Sequence, residues 1–500
     1  MAKLSSRVGR RRKIVLDDDS PQLHRTLGPV HLTLLGIGAI IGTGIFVLTG
    51  TAAAGDVDRP GAGPAIVLSF VITAFVCGLA AICYAEYASM VPISGSAYTY
   101  AYATFGELVA WIIGWDLLLE YAVGNVGVAI GWSGYLQTLL GEHFPLPPWL
   151  RIDPMSVKAI LARPESFSAD RIALARSAME SAPRLGVPII MNLTASLVVA
   201  AITVVLWVGV RESARFNAGL VIIKFVLIAL FCWFGVQHVD FDTHWADFAP
   251  NGLSGIMTGA ALIFFAYVGF DAVSTTAEEC RNPQRDIPIG MIASLVVCAV
   301  LYVLVAIVLT GMVPLATLNT SHPVSAALEA VGETTAAKVI AFGVIFSITS
   351  VLLVLQYGQS RIMFAMSRDR LLPGAMSRVG RFKTPTWAII VTGIVVGIPA
   401  AFIDITMAAE LTNIGTLFAF ALVSAGVLYL RGRDPEIPRS FRVPAAWFIC
   451  PLSVISCVVV MLNLPLGTWI RFVVWMALGL VVYVIRVWLS EDEEASSHAT

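Results

Sequence analysis

Lys224 stands in the run Leu220-Val-Ile-Ile-Lys-Phe-Val-Leu-Ile-Ala-Leu230, where every neighbour is apolar. An ionisable side chain in hydrocarbon costs about 2.5–3.5 kcal/mol on insertion scales, so one that is kept there is a candidate for function. The residue is a proton site, a fixed cation standing for a metal ion, or a lysine held permanently by hydrogen bonds. Carboxyls fall in comparable surroundings. Asp116 and Glu120 lie four apart in Trp115-Asp-Leu-Leu-Leu-Glu-Tyr121, hence on one helical face. Asp271 follows Gly269 in Phe264-Phe-Ala-Tyr-Val-Gly-Phe-Asp-Ala-Val-Ser274. Glu120 and Asp271 would share a proton or a hydrogen-bond network if their helices meet, or else cap unwound backbone. Ser347, Thr349 and Ser350 either bond the carbonyls of their own preceding turn or accept protons from Lys224. Glu86 and Glu107, at the ends of apolar runs, read as solvated.

The backbone offers a second kind of chemistry. Gly36-Ile-Gly-Ala-Ile-Ile-Gly-Thr-Gly44 lies inside an apolar run. Each glycine weakens a helix by about 1 kcal/mol relative to alanine. In lipid, unwound backbone survives only where it lines a cavity or is buried in protein. An interruption near Gly42-Thr43-Gly44 is expected, with the amides of the following half-helix facing the gap and suited to a carboxylate. Close helix packing through small residues is the alternative use. A dinucleotide fingerprint is excluded, because GxGxxG would need glycine at Ile41 and no strand precedes it. Gly269 and Asp271 mark a second interruption, and breaks in the first and sixth spans are what two inverted five-helix repeats would give.

These residues need a membrane to hold them. Hydrophobic residues are 57% of the chain and charged residues 13%, too little charge to cover a soluble protein of this length. Runs of roughly 20 apolar residues span a bilayer as helix. Twelve are expected, near 32–52, 63–90, 107–139, 189–210, 215–236, 253–275, 286–313, 335–366, 385–403, 409–430, 446–463 and 467–489. Arginine and lysine crowd alternate connectors, among them Arg211 and Arg215, Arg281 and Arg285, Arg368 to Lys383, and Arg431 to Arg442. The positive-inside rule then places both termini in the cytoplasm. Residues 141–188 become a long external loop with short amphipathic helices. The basic N-terminal cluster is a topology signal rather than a cleavable leader, and the acidic end after Glu491 is expected to be disordered. A net charge of −1 leaves no basic face for nucleic acid. The seven cysteines show no CxxC spacing and read as small core residues, so neither metal nor other cofactor is expected.

Several stretches carry a family resemblance: Gly36–Gly50, Ala85–Tyr98, Gly114–Tyr121, Phe264–Ser274, Glu278–Pro288 and Ser360–Asp369. The sequence resembles the amino acid–polyamine–organocation superfamily, in the bacterial branch similar to cationic amino acid transporters. The resemblance implies an all-α integral membrane protein with the LeuT-type fold. Its ten-helix inverted-repeat core would occupy 31–431 and two further helices 432–489, between cytosolic tails at 1–30 and 490–500. It implies a substrate site built from Ile40, Gly42, Thr43, Gly44, Glu120, Ala261, Phe265, Val268 and Asp271. The carboxylate would meet the first break and the amino group the second, with Phe265 as an aromatic gate. Lys224, with Thr349 and Ser350, would serve proton coupling where sodium-coupled relatives bind an ion. The 141–188 loop is longer than that pattern and inherits nothing from it.

The function expected is secondary active, proton-coupled symport of L-amino acids across the plasma (cell inner) membrane by alternating access. A sodium-independent exchanger or facilitator preferring cationic amino acids is the alternative. Partners would be an L-amino acid, protons and membrane lipid, with the chain a monomer or beside a small single-span subunit. A channel would need a selectivity ring or an oligomeric pore. An enzyme would need clustered His, Cys or Ser/His pairs within the spans, whereas the histidines lie at span ends or in loops. Neither set is present.

Overall fold

The computed structural model describes residues 27–56, 59–90, 96–143, 146–209, 214–271, 273–274, 280–436 and 439–497. The basic and acidic N-terminal clusters, Arg211, Glu278 and His498 lie outside the described residues, as do parts of the Ala85–Tyr98 and Glu278–Pro288 stretches.

The protein is all-α in its membrane part. The apolar helical segments, in chain order, are α1 (Pro29–Ala54), α2 (Ile66–Met90), α3 (Glu107–Leu140), α4 (Leu193–Val208), α5 (Ala214–Gly235) and α6 (Gly252–Tyr267). They continue as α7 (Pro283–Met312), α8 (Thr334–Arg368), α9 (Thr386–Phe402), α10 (Ile405–Arg433), α11 (Ala446–Leu462) and α12 (Leu466–Ser497). Among the described residues eight are long and apolar enough to cross a bilayer, whereas α4, α6, α9 and α11 are shorter apolar helices. Each lies on one of the runs expected from the sequence, because an apolar run in lipid can satisfy its peptide groups only as helix.

The helices do not carry one apolar stripe each. Leu, Val and Phe face outward along α5, α8 and α12, as at Ile222, Phe342 and Val474, where lipid rather than water is the neighbour. Buried faces are instead rich in Gly, Ala, Ser and Thr, which lets backbones approach. α3 forms the centre of the bundle, against α8, α9 and α10, and α7 packs on α1 and α2.

Two expectations need correction. The acidic C-terminal run is helical to Ser497, as a continuation of α12. Glu86 and Glu107 are not solvated: their exposures are 0% and 6%. Glu86 accepts from Arg431 Nε at 2.9 Å, Arg431 Nη2 at 2.5 Å and the Val443 amide at 2.7 Å. Glu107 accepts from the hydroxyls of Tyr102 and Tyr483. A carboxylate at a span end reads as solvated only while its long-range partners are unknown, and here α10 and α12 bring them.

The segment 146–189 folds on itself. Helices Pro154–Ala162 and Ala169–Ser181 enclose a small core of Ile152, Val157, Ile160, Ala175, Ala178 and Ile190. It is tied to the α7–α8 connector by Arg171 Nη1, which donates to Asn319 O at 3.0 Å. Asn319 in turn donates to Ser166 O at 3.0 Å and to Gly55 O, just past α1.

Candidate functional site

α1 comes apart where its glycines predict. The helix Pro29–Ile40 ends at Ile41, whose φ/ψ of −73/102 is extended, and the chain restarts as a π-helical turn over Gly44–Leu48 before Thr49–Ala54. The first backbone bond of the restart joins the Phe46 N–H to Gly42 O at 3.3 Å. The amides of Thr43, Gly44 and Ile45 therefore open the second half, like any helix N-terminus. α6 behaves alike. It runs from Gly252 to Ile263, tightens to a 3₁₀ turn over Phe264–Tyr267, and is extended at Val268. Gly269 then takes φ +119°, a region that L side chains rarely occupy.

The two breaks touch. A Cβ on Gly44 would stand 2.2 Å from the Ala266 Cα, and one on Gly269 would stand 3.1 Å from the Ala39 carbonyl. Only glycine permits these approaches.

Several of the carbonyls at the breaks are met by side chains from four other helices. Lys224 Nζ of α5 donates to Gly38 O at 2.6 Å and Ile41 O at 2.7 Å, ending the first half of α1. Asn413 Nδ2 of α10 donates to Ala261 O at 2.7 Å and Leu262 O at 2.9 Å, ending the first half of α6. The Tyr302 hydroxyl of α7 lies 2.9 Å from both Ile40 O and Ala266 O, between the two breaks. Tyr135 of α3 donates to Phe46 O at 2.6 Å. What stays open is a donor set: the amides at the restart of α1 and the Thr43 hydroxyl, which is 1% exposed and has no partner among the described residues.

α3 lines the breaks with a glycine stripe. Cβ positions on Gly124 and Gly127 come within 4.0 and 3.6 Å of the Phe265 ring, and one on Gly131 within 2.8 Å of Thr43 Cγ2. The same helix carries the acids. Asp116 is 0% exposed, and among the described residues neither of its oxygens has a hydrogen-bond partner. Glu120, 3% exposed, lies within electrostatic reach of both Asp271 and Asp116, and the Thr416 hydroxyl of α10 donates to Thr412 O at 3.0 Å. Among the described residues neither Asp116 nor Glu120 has an ion pair.

The structure thus brings Gly42, Thr43, Gly44, Phe265, Ala266 and Gly269 to one buried place, with Ile40 and Val268 at its edges. The Ala261 carbonyl is already taken by Asn413. Lys224 meets the backbone of α1, and of the hydroxyls expected to serve it two bond elsewhere, while that of Ser347 has no hydrogen-bond partner among the described residues. Thr349 Oγ1 donates to Ile345 O at 2.7 Å and accepts from Trp132 Nε1, and Ser350 Oγ donates to Ser347 O at 2.7 Å. Tyr302, Asn413, Tyr135 and the α3 glycines went unread in the sequence. The rule that singled out Lys224, a polar group inside an apolar span, would have found Asn413.

Interrupted apolar helices meeting inside a bundle define a multi-pass membrane protein with a buried, polar backbone site. Comparison with known proteins gives its family: residues 27–485 match the family model described as amino acid permease, and the chain belongs to that family. It is 45% identical over 471 residues to the methylthioribose transporter of Bacillus subtilis (strain 168), covering 93% of this chain and 94% of that one. It is 44% identical over 466 residues to the branched-chain amino acid permease BcaP of the same organism, covering 93% of each. The vacuolar cationic amino acid transporter 2 of Arabidopsis thaliana is 37% identical, over 86% of this chain and 64% of that one.

Proposed function

We propose that the chain is a secondary transporter that carries L-amino acids with protons, by alternating access around the paired breaks of α1 and α6. The observation that carries this reading is the open donor set at the restart of α1. The amides of Thr43 to Ile45 and the Thr43 hydroxyl, which has no partner among the described residues, suit a carboxylate, while the Gly38 and Ile41 carbonyls are already bonded to Lys224. The α-ammonium would meet the α6 break near Phe265 and Val268. Glu120 and Asp271 would either hold the coupling proton or face a cationic side chain. Lys224, on the carbonyl end of the first half of α1 and in a place suited to an ion, serves the proton coupling, and its substitution would remove the proton response.

In this reading 31–431 forms the moving core, α11 and α12 pack against it, and both termini face the cytoplasm of a cell whose inner membrane holds the protein. A second reading follows from one relative, whose printed substrate is methylthioribose rather than an amino acid. A sugar lacks the carboxylate that would use the amides at Thr43 to Ile45. Uptake into proteoliposomes under an imposed pH gradient separates the two. Labelled L-isoleucine, L-alanine, L-arginine and methylthioribose are each offered against the others unlabelled. Saturable, stereoselective, gradient-driven amino acid uptake is expected. Accumulation of methylthioribose alone would replace the proposal with the second reading.

A further inference from the structure

Asn413 repeats on α6 what Lys224 does on α1. Lys224 lies on the fifth apolar helix and bonds carbonyls at the end of the first half of the first. Asn413 lies on the tenth and bonds carbonyls at the end of the first half of the sixth. Both side chains are 0% exposed. The amide orientation is fixed by its neighbours, since the group facing two carbonyl oxygens must be the NH₂. Both of its hydrogens are spent on α6, and among the described residues the buried Oδ1 atom has no donor.

An amide kept only for packing would satisfy both ends, because a bare buried acceptor is costly. Here the donor end alone is used, on the two residues before the Phe264–Tyr267 turn. The neighbouring Thr412 Cγ2 lies 3.5 Å from the Cβ position of Gly124, which also faces Phe265. A movement of the α6 end against α10 would therefore displace Phe265 against α3.

We infer that Asn413 is a positioning residue for substrate binding, holding the α6 break in register as Lys224 holds the α1 break. The inference rests on the reading that the paired breaks hold the substrate. Its effect is on how tightly the substrate is held, not on whether the chain folds. Unlike Lys224, a neutral amide gives no response to pH.

Two variants test it: Asn413→Leu, which keeps volume but offers no donor, and Asn413→Ser, which keeps one. Each is reconstituted beside the unsubstituted protein, and initial uptake of labelled L-isoleucine, L-alanine and L-arginine is measured against concentration and pH. Inserted amount and thermal midpoint are recorded in parallel. Asn413→Leu is expected to raise KM about tenfold with little change in maximal rate, the pattern of lost binding. Asn413→Ser should fall between, and the shape of the pH profile should be unchanged in both. An unchanged KM, a loss of rate that merely follows lost protein or a lowered midpoint, or failure of both variants to insert would assign Asn413 to the fold alone and overturn the inference. If the unsubstituted protein takes up none of the three amino acids, the reading beneath the inference fails, and the inference with it.

Discussion

Gly44 and Ala266 meet backbone to backbone, with the Ala266 Cα 2.2 Å from where a Gly44 Cβ would stand. This contact joins the two interrupted helices at the level of their breaks, and no side chain can be placed between them. Gly44→Ala forces the breaks apart, at a cost of about 1–3 kcal/mol in a packed interior. Uptake is expected to fall at least tenfold while the variant still inserts, measured by initial rate against membrane-inserted protein. Normal rates would mean that the contact does not matter for transport.

Gly42 has more room, since its Cβ position is 3.0 Å from a single methyl of Val351. Gly42→Leu should therefore insert normally and fail to bind, by filling the gap between the half-helices. Equilibrium binding of a labelled amino acid to the purified variant checks this. Unchanged affinity would put the carboxylate site elsewhere.

Lys224→Met leaves Gly38 O and Ile41 O without donors, each costing about 1–3 kcal/mol when buried. Loss of pH-dependent uptake is expected, with residual exchange that no longer responds to an imposed gradient. If gradient-driven uptake persists, Lys224 serves only to end the helix.

Glu120→Gln removes one ionisable carboxyl from the group with Asp116 and Asp271. If that carboxyl faces a cationic substrate, inhibition by arginine is lost while alanine uptake continues. If it handles protons, both lose gradient dependence together. A competition series read at two pH values distinguishes them.

The segment 146–189 and the α7–α8 connector against it have their own pH response. Burial, with repulsion from Asp404 added, pushes the Asp153 carboxyl up to about 7 against its bonds to Ser156 and the Arg171 charge. The unfolded chain releases that proton near about 4. Between those values the folded form holds the extra proton, so stability falls as pH rises through the window. Burial and the Arg171 charge push His322 the other way, down to about 4, so its contribution falls as pH drops from about 6.5. Asp153→Asn, which can still cap its helix, should raise the thermal midpoint at pH 7.5 and not at pH 4. His322→Gln should instead raise it near pH 4.5. Absence of either shift in a detergent melt would contradict this assignment.

The legible part of the fold was what local pattern controls. Apolar runs located the helices, and four glycines in nine residues located the α1 break, because backbone cost and lipid exclusion act on the residues themselves. Lys224 could be singled out for the same reason. The finer part depends on partners far along the chain. Nothing near Glu86 announces Arg431, and nothing near Tyr302 announces that its hydroxyl lies between Ile40 and Ala266. The hydroxyls at Thr349 and Ser350 looked like partners for Lys224, but each had a nearer acceptor on its own helix. The α3 glycines look like ordinary membrane small residues until Phe265 and Thr43 are seen against them.

The central claim is that a zwitterion is held by peptide groups bared in α1 and α6. A density map of the purified protein with a transported L-amino acid bound tests it most directly. The account predicts carboxylate density against the amides of Thr43 to Ile45 and the Thr43 hydroxyl, with the α-ammonium at the α6 break. A ligand seated elsewhere, or α1 and α6 running unbroken from leaflet to leaflet, would contradict it.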